Sequence, residues 1–329
     1  MDKNKQRLHS FRSRILAYIA LPLILIMALV YGFNGWINYQ EHEKDVYQRL
    51  EQQAVLSANH LSFVLDSVQN TTRGLSDYLT YVDSDNLYDD IDKVENLLVN
   101  RLKRNPSIFG SAIAYRPNFL TQKLRYAPYA YREGNNINIL DIGAEAYDYT
   151  DGSWSWWTDA ITSPIGVWSE PYFDEGAGNI LMMTYSKAFG DAGDRYGVVT
   201  ADLALNKIPQ LMKIPSKNMV LLDGNDKVIF YDSSNSDLKG SSDKWLSDDP
   251  QNDQLKSFLT NNIAGQTEAV TVSGDRFLVS VANISSLKWQ VVIATSDNEL
   301  NQYFLSNFSR LAFVLLLLSI ALLLTSVLA

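Results

Sequence analysis

The sequence predicts an α+β protein in which a long N-terminal helix carries two antiparallel-sheet lobes, with a membrane-spanning helix at either end. Three observations predict it. Ile15–Phe33 and Leu311–Ala329 are each nineteen residues without a charged side chain. At 1.5 Å per residue each run is about 28 Å long, close to the roughly 30 Å of a bilayer's hydrocarbon core. From Tyr39 to about Val82, apolar residues recur at three- and four-residue spacing with no proline, which is the pattern of one amphipathic helix. After Pro106 the pattern changes to period two in short segments, as half-buried strands require.

Taken in order, residues 1–14 form a basic tail of net charge about +4, with Lys3, Lys5, Arg7, Arg12 and Arg14 against Asp2. Positive flanks stay in the cytoplasm, so a first span at 15–36 runs outward. A cleaved signal peptide is the rival reading. The apolar stretch is long for an h-region, and no small-x-small site precedes a mature start. The second span, 311–329, returns the chain to the cytoplasm. It ends the sequence, so the expectation is a piece of a longer receptor whose output domain lies beyond it. Residues 37–310 are then extracytoplasmic. Of the total charge of −9, the part from Glu41 to Arg310 carries −13. That balance argues against nucleic acid or anionic lipid as a ligand and mildly favours a cation.

The stalk helix, 37–82, shows Val46, Leu50, Ala54, Ala58, Leu61, Leu65, Val68, Leu75 and Leu79 on one face. This face serves either to pair two copies or to pack on the chain's own sheet. A distal lobe, 83–214, follows: an acidic loop Asp83–Asp92, a helix Lys93–Arg104, and strands Ser107–Tyr115, Leu181–Phe189 and Tyr196–Leu203. An aromatic and glycine-bearing excursion, Arg116–Ile180, separates the first strand from the others, and a short helix Asn206–Met212 closes the lobe. The proximal lobe, 215–299, reads as strands Asn218–Leu222, Lys227–Tyr231, Glu268–Val272, Arg276–Val281 and Trp289–Ala294. Asp223-Gly224 is its clearest hairpin signal. Residues 300–310 form a juxtamembrane segment. Gly197–Asp202 and Trp289–Ala294 end the two lobes alike, a faint internal repeat.

Signals for catalysis are few. There is no cysteine, which excludes disulfides and thiolate chemistry. His9 lies in the tail, and His42 and His60 lie on the stalk. Asp83-Ser84-Asp85-Asn86 begins like a calcium loop, but Tyr88 and Val94 stand where glycine and glutamate are needed. Ser285-Ser286-Leu287-Lys288 sits in a turn without partner motifs. Gly176-Ala177-Gly178 lacks the following helix of a phosphate cradle. The reading is a non-enzyme without a cofactor or metal.

The dense signal is Tyr147–Tyr185. Four of the seven tryptophans fall within fifteen residues there, interleaved with Asp148, Asp151, Asp159, Glu170, Asp174 and Glu175. Ring faces attract a cation and carboxylates neutralise it, so this composition suits an ammonium group. Tryptophans also bury area for packing alone.

These residues carry a resemblance. Tyr149 followed by Trp156-Trp157, then Trp168-Ser169-Glu170-Pro171-Tyr172-Phe173-Asp174, Met183-Thr184-Tyr185-Ser186 and Gly197-Val198-Val199 with Asp202, resembles the membrane-distal lobe of a double Cache domain. Such domains are extracytoplasmic sensors of bacterial chemoreceptors, histidine kinases, cyclic-di-GMP enzymes and serine phosphatases. The resemblance implies PAS-like lobes over about Tyr39–Asp297, a bacterial inner-membrane receptor, a homodimer, and a small ligand in the distal lobe. The amino-acid-binding branch of that family reads Tyr-x-x-x-x-Arg-x-Trp-Tyr with a later Tyr and Asp. On this sequence Tyr149, Trp156, Tyr172 and Asp202 match, Trp157 replaces the second tyrosine, and Trp154 stands at the arginine. The ammonium half of the site is kept and the carboxylate clamp is lost. The expected ligand-binding residues are therefore Tyr149, Trp154, Trp156, Trp157, Trp168, Tyr172, Asp174 and Asp202. The expected ligand is an amine, a polyamine or a quaternary ammonium compound. The alternatives are an amino acid or carboxylate held by Arg125 or Arg132, or a membrane-anchored protein-interaction module.

Overall fold

The computed structural model describes residues 3–82, 91–120, 123–191, 193–212, 218–224, 228–233, 253–261, 266–272, 275–284 and 286–296, with scattered positions between 302 and 320. Of the expected acidic loop Asp83–Asp92, residues 83–90 lie outside the described residues, as does the end of the second apolar run, 321–329, while Ile91 and Asp92 already begin a helix. The chain divides into two compact units, one of residues 1–53, 240–281 and 293–329, the other of residues 54–239 and 282–292.

The basic tail, the first apolar run and the stalk are one helix, α1, Lys3–Tyr81. Pro22 is tolerated within it. From Pro22 onward α1 is long and apolar enough to cross a membrane. Leu23, Leu25, Ile26, Leu29, Val30, Phe33 and Trp36 are all exposed, an apolar surface that suits lipid. Phe308–Leu318 is a shorter apolar helix over its described residues, compatible with the second expected span.

All nine stalk residues expected on one face are buried, from Val46 to Leu79. The apolar face of α1 therefore packs on its own chain. In the second unit Val68, Leu75 and Leu79 join α2 (Ile91–Arg104), through Val94, Leu98 and Leu102, in a common core. That core lies on a seven-stranded antiparallel sheet ordered β3-β2-β1-β7-β6-β4, with β5 added beside β6. The long central strands are β6, Leu181–Asp191, and β7, Asp194–Ala204. Strand β1 is Gly110–Tyr115.

The expected excursion 116–180 is more structured than its sequence reading. It holds the hairpin β2–β3, Pro128–Glu133 and Asn136–Asp141. A π-helical turn at Ile142–Ala146, the helix α3 (Ser155–Thr162) and two-residue strands β4 (Val167–Trp168) and β5 (Tyr172–Phe173) follow. After β7 come a 3-10 turn, Leu205–Lys207, and the short helix α4, Ile208–Met212.

Side chains alternate across each strand. On β7, Val199 and Ala201 face the helices, whereas Val198 joins a second cluster on the other face with Tyr149, Trp156, Trp157 and Ala160. The sheet thus has a helix-packed face and a face covered by the excursion. A second sheet of five strands is ordered β10-β11-β12-β8-β9. These are β8 (Asn218–Leu222), β9 (Val228–Ser233), β10 (Gln266–Val272), β11 (Asp275–Ile284) and β12 (Trp289–Ser296). The helix α5, Asp253–Asn261, precedes β10 and was not anticipated.

Candidate functional site

Between the excursion and the sheet lies a small pocket whose free space is about that of one water. Strand β7 places Thr200 and Asp202 on its floor, two residues apart and so on one face. The neighbouring strands add Ala112 from β1, Tyr129 from β2, and Met182 and Thr184 from β6. The excursion adds Ile142, Tyr147, Trp156, Tyr172 and Asp174.

Asp202 is 2% exposed. Thr184 Oγ1 donates to its Oδ1 at 2.8 Å, and the Tyr172 hydroxyl lies 2.8 Å from Thr184 Oγ1. Burial pushes the Asp202 carboxyl up to about 7. The Thr184 hydrogen bond opposes that shift, the nearby Asp174 charge adds to it, and the Tyr129 hydroxyl and, from below, Arg101 oppose it. Asp174 sits in the β5–β6 loop. Its Oδ2 accepts from the Gly178 amide at 2.6 Å and its Oδ1 accepts from the Tyr147 hydroxyl at 3.0 Å. Burial raises this carboxyl also, against those two hydrogen bonds.

The Tyr129 ring crosses Gly110, where a Cβ would meet the Tyr129 hydroxyl at 2.1 Å. A side chain at 110 would displace the ring from the pocket. The Tyr129 hydroxyl faces the Asp202 carboxyl and the Trp156 indole N–H faces the Tyr147 hydroxyl, each a loosely aligned hydrogen-bond partner.

Of the residues expected from sequence, Trp156, Tyr172, Asp174 and Asp202 line the pocket. Trp154 forms a second layer: its ring stacks on Tyr147 with centroids 3.8 Å apart and meets Tyr172 edge-on at 6.3 Å. Three others lie away from it. Tyr149 is fully buried with its hydroxyl donating to the Tyr115 carbonyl at 2.6 Å. Trp157 packs edge-on against Tyr149 in the same core. Trp168 faces the helix side of the sheet, against Tyr185. Trp168 pairs with Tyr185 and Tyr172 with Met182 on β6, three residues apart and so on opposite faces, which sends the two to different environments.

Sequence reasoning missed Tyr129, Tyr147, Thr184 and Thr200. Thr184 and Thr200 had a signal, since they pair with or neighbour Asp202 by strand alternation. Tyr129 had none, because β2 reaches the site only through the sheet register Ala112↔Tyr129.

No cationic side chain lines the pocket among the described residues. Arg125 pairs with Asp148 at 2.6 Å. Arg132 caps the C-terminal end of α2, bonding the carbonyls of Leu102, Asn105 and Ile108. Arg101 lies under the sheet, where it bonds Ser111 Oγ at 3.0 Å and Thr72 Oγ1 at 2.7 Å. Burial lowers this guanidinium to about 10, opposed by Asp202. Among the described residues no group of three or more His, Cys, Asp or Glu side chains is placed to hold a metal.

Residues 94–210 match the family described as methyl-accepting chemotaxis protein-like, first PDC sensor domain. The extracellular domain of a protein described as a histidine kinase, soHK1S-Z6, is 39% identical, with a TM-score of 0.69 over 80% of this chain and 99% of that one. The ligand-binding domain of the Campylobacter jejuni chemoreceptor Tlp3, solved with L-valine, shares the fold at 15% identity and a TM-score of 0.57, over 80% of this chain and 97% of that one. A protein titled methyl-accepting chemotaxis protein X does so at 18% identity and a TM-score of 0.59, covering 78% and 99%. No curated protein matches the chain. The chain belongs to the double Cache family of extracellular sensor domains found on chemoreceptors and histidine kinases.

Proposed function

We propose that this chain is the sensory part of a two-span bacterial inner-membrane receptor whose distal pocket binds a small organic cation. The observation that carries the reading is the lining itself: two buried carboxylates, four aromatic rings and no cationic side chain among the described residues. A buried carboxylate without a counter-charge is held near-neutral by desolvation. A cationic ligand supplies the missing partner and restores its charge, while rings such as Tyr147 and Trp156 offer π faces to the same group. Trp154, at the position of the arginine in the amino-acid-binding pattern, supplies no guanidinium for a carboxylate.

In this reading the N-terminus is cytoplasmic, residues 37–310 are periplasmic, and the output is a kinase, as the description of soHK1S-Z6 suggests. Ligand selects a rearranged pocket and biases α1 between two positions. Two copies work together, with Leu56 and Phe63, both exposed on α1, as candidates for pairing. An amino acid is the second reading, favoured by the valine bound to Tlp3 on the same fold.

The test is a thermal-shift screen of the full chain in detergent against amines, betaines, amino acids and organic acids. Saturating ligand at a hundred times Kd should add about 2.7 kcal/mol of stability. The expected result is stabilisation by amines or betaines that disappears in Asp202→Asn. Stabilisation by amino acids or organic acids alone would overturn it.

A further inference from the structure

We infer that Arg101 is a positioning residue that ties the charge of Asp202, on the pocket floor, to the stalk helix α1 through its hydrogen bond to Thr72. The inference is independent of the ligand's identity. Anything that changes the charge of Asp202, a proton included, acts on the same bond.

The connection is built across β1 and β7. Gly110 on β1 pairs with Asp202 on β7, and the next residue, Ser111, turns its side chain to the helix side of the sheet. There Arg101, 7% exposed, donates from Nη1 to Ser111 Oγ at 3.0 Å and from Nη2 to Thr72 Oγ1 at 2.7 Å. Ser111 gives its own proton to the Thr200 carbonyl at 2.7 Å, and Thr72 gives its own to the Val68 carbonyl at 2.7 Å. A hydroxyl has one proton, so both are fixed as acceptors for the guanidinium. Thr200 lines the pocket beside Asp202, and its Oγ1 accepts from the Ala112 amide at 2.9 Å. Arg101 therefore holds α1 through neutral acceptors, while among the described residues the charge acting on it is that of Asp202.

Other bonds from the same stretch of α1 lack this property. Arg73 Nε donates to the Tyr185 hydroxyl at 2.9 Å, Ser76 Oγ to the Ala188 carbonyl at 2.8 Å, and Thr80 Oγ1 accepts from the Gly190 amide at 3.0 Å. Their partners on β6 are a phenol and two backbone groups. They hold α1 to the sheet, whereas the bond from Arg101 to Thr72 responds to the pocket. When Asp202 ionises, a negative charge in a poorly solvated site attracts the guanidinium toward β7 and weakens its hold on Thr72. Coupling of this kind is reciprocal. Removing the Thr72 acceptor frees Arg101 toward Asp202 and makes that carboxyl easier to ionise. On the cation reading, a bound ligand that keeps Asp202 ionised acts on α1 in the same direction as proton loss.

The titratable and charged groups facing Asp202 are Asp174 from the β5–β6 loop, Tyr129 from β2, Tyr147 and Tyr172 from the excursion, and Arg101 from α2. Burial keeps the three tyrosines protonated well above neutral pH. Asp174 is thus the group to be separated from Asp202 when pH is the probe.

The experiment is hydrogen exchange, read by mass spectrometry, of the full chain in detergent at pH 5.5 and 8.0, with rates referred to the intrinsic rate at each pH. In the wild type, protection of the α1 segment around Thr72 should fall about fivefold between the two, the scale of one hydrogen bond. Asp202→Asn should keep the higher protection at both pH values, and Asp174→Asn should still show the fall. Thr72→Val and Arg101→Met should remove the pH dependence. The second readout is the pH at which the Asp202 contribution to melting temperature levels off, taken from each background with and without Asp202→Asn. It should move down by about half a pH unit in Thr72→Val and up by about one unit in Arg101→Met, the scale of one nearby charge. Protection that is flat with pH in the wild type, a fall that persists in Asp202→Asn, or an unmoved levelling-off pH in Thr72→Val overturns the inference and leaves Arg101 a packing role only. The Thr72→Val result decides the matter if Arg101→Met fails to fold.

Discussion

Asp202 shows how one side chain can be legible in sequence and still owe its chemistry to the fold. Alternation along β7 placed it inward with Val198 and Thr200, and the pocket floor holds it there. Its titration near 7 comes from burial, which no local pattern reports. The consequence for stability has a definite sign. The unfolded carboxyl ionises near 3.9, so between about pH 4 and 7 the unfolded chain releases a proton that the folded chain keeps. This group's contribution is full below about pH 4 and is lost as pH rises to about 7. Melting temperatures of wild type minus Asp202→Asn should therefore fall across that range and level off above it. A flat difference would show that the carboxyl is not held neutral. Binding has the opposite slope. On the proposed cation reading, amine affinity should rise up to about tenfold per unit toward pH 7 and then plateau, since a cation would bind the ionised form. Titrations at pH 5, 6, 7 and 8 measure it.

At the scale of elements, the floor of the pocket depends on close pairing of β1 with β7. Gly197 lies opposite Tyr115, and a Cβ there would stand 2.1 Å from the Ala114 carbonyl oxygen. That contact is with backbone, so relief requires the strands to shift. Gly197→Ala should destabilise the chain by about 2 kcal/mol or more and weaken amine binding as Asp202 moves with its strand. Thermal melting and calorimetry of the variant check this. Beneath the same sheet, Arg101 joins α2 to Thr72 on α1 and to Ser111 on β1. Arg101→Ala leaves a cavity and two hydroxyls short of a partner, and should cost about 3 kcal/mol in chemical denaturation. The stalk face and β6 and β7 were readable because their periods are long and uninterrupted. The hairpin β2–β3 carried a readable signal in Gly134-Asn135, set between two short segments of alternating residues. The strands β4 and β5 are two residues each, too short for any period to appear.

For the whole molecule, orientation is the decisive property. The absence of cysteine makes it directly measurable. A cysteine introduced at Asn135, exposed at the tip of the β2–β3 hairpin, should react with a membrane-impermeant maleimide on cells with a permeable outer membrane. One at Gln6 should react only after the inner membrane is opened. The reverse pattern would overturn the inside-to-outside course of α1. Membership of the double Cache family fixes the sensor class at this scale, whereas the ligand is fixed by a handful of side chains within it.

The sequence by itself determined the membrane attachment, the length and buried face of α1, the α+β class and the presence of an aromatic, acidic site. Each is written in local composition or in a period that one helix or strand satisfies alone. Only the tertiary structure decided which aromatics serve the pocket. Tyr149, Trp157 and Trp168 are held in packed cores, while Tyr129 and Tyr147 complete the lining. The reason is that a site is assembled across strands in register, so its members are neighbours through hydrogen-bonded backbone rather than along the chain.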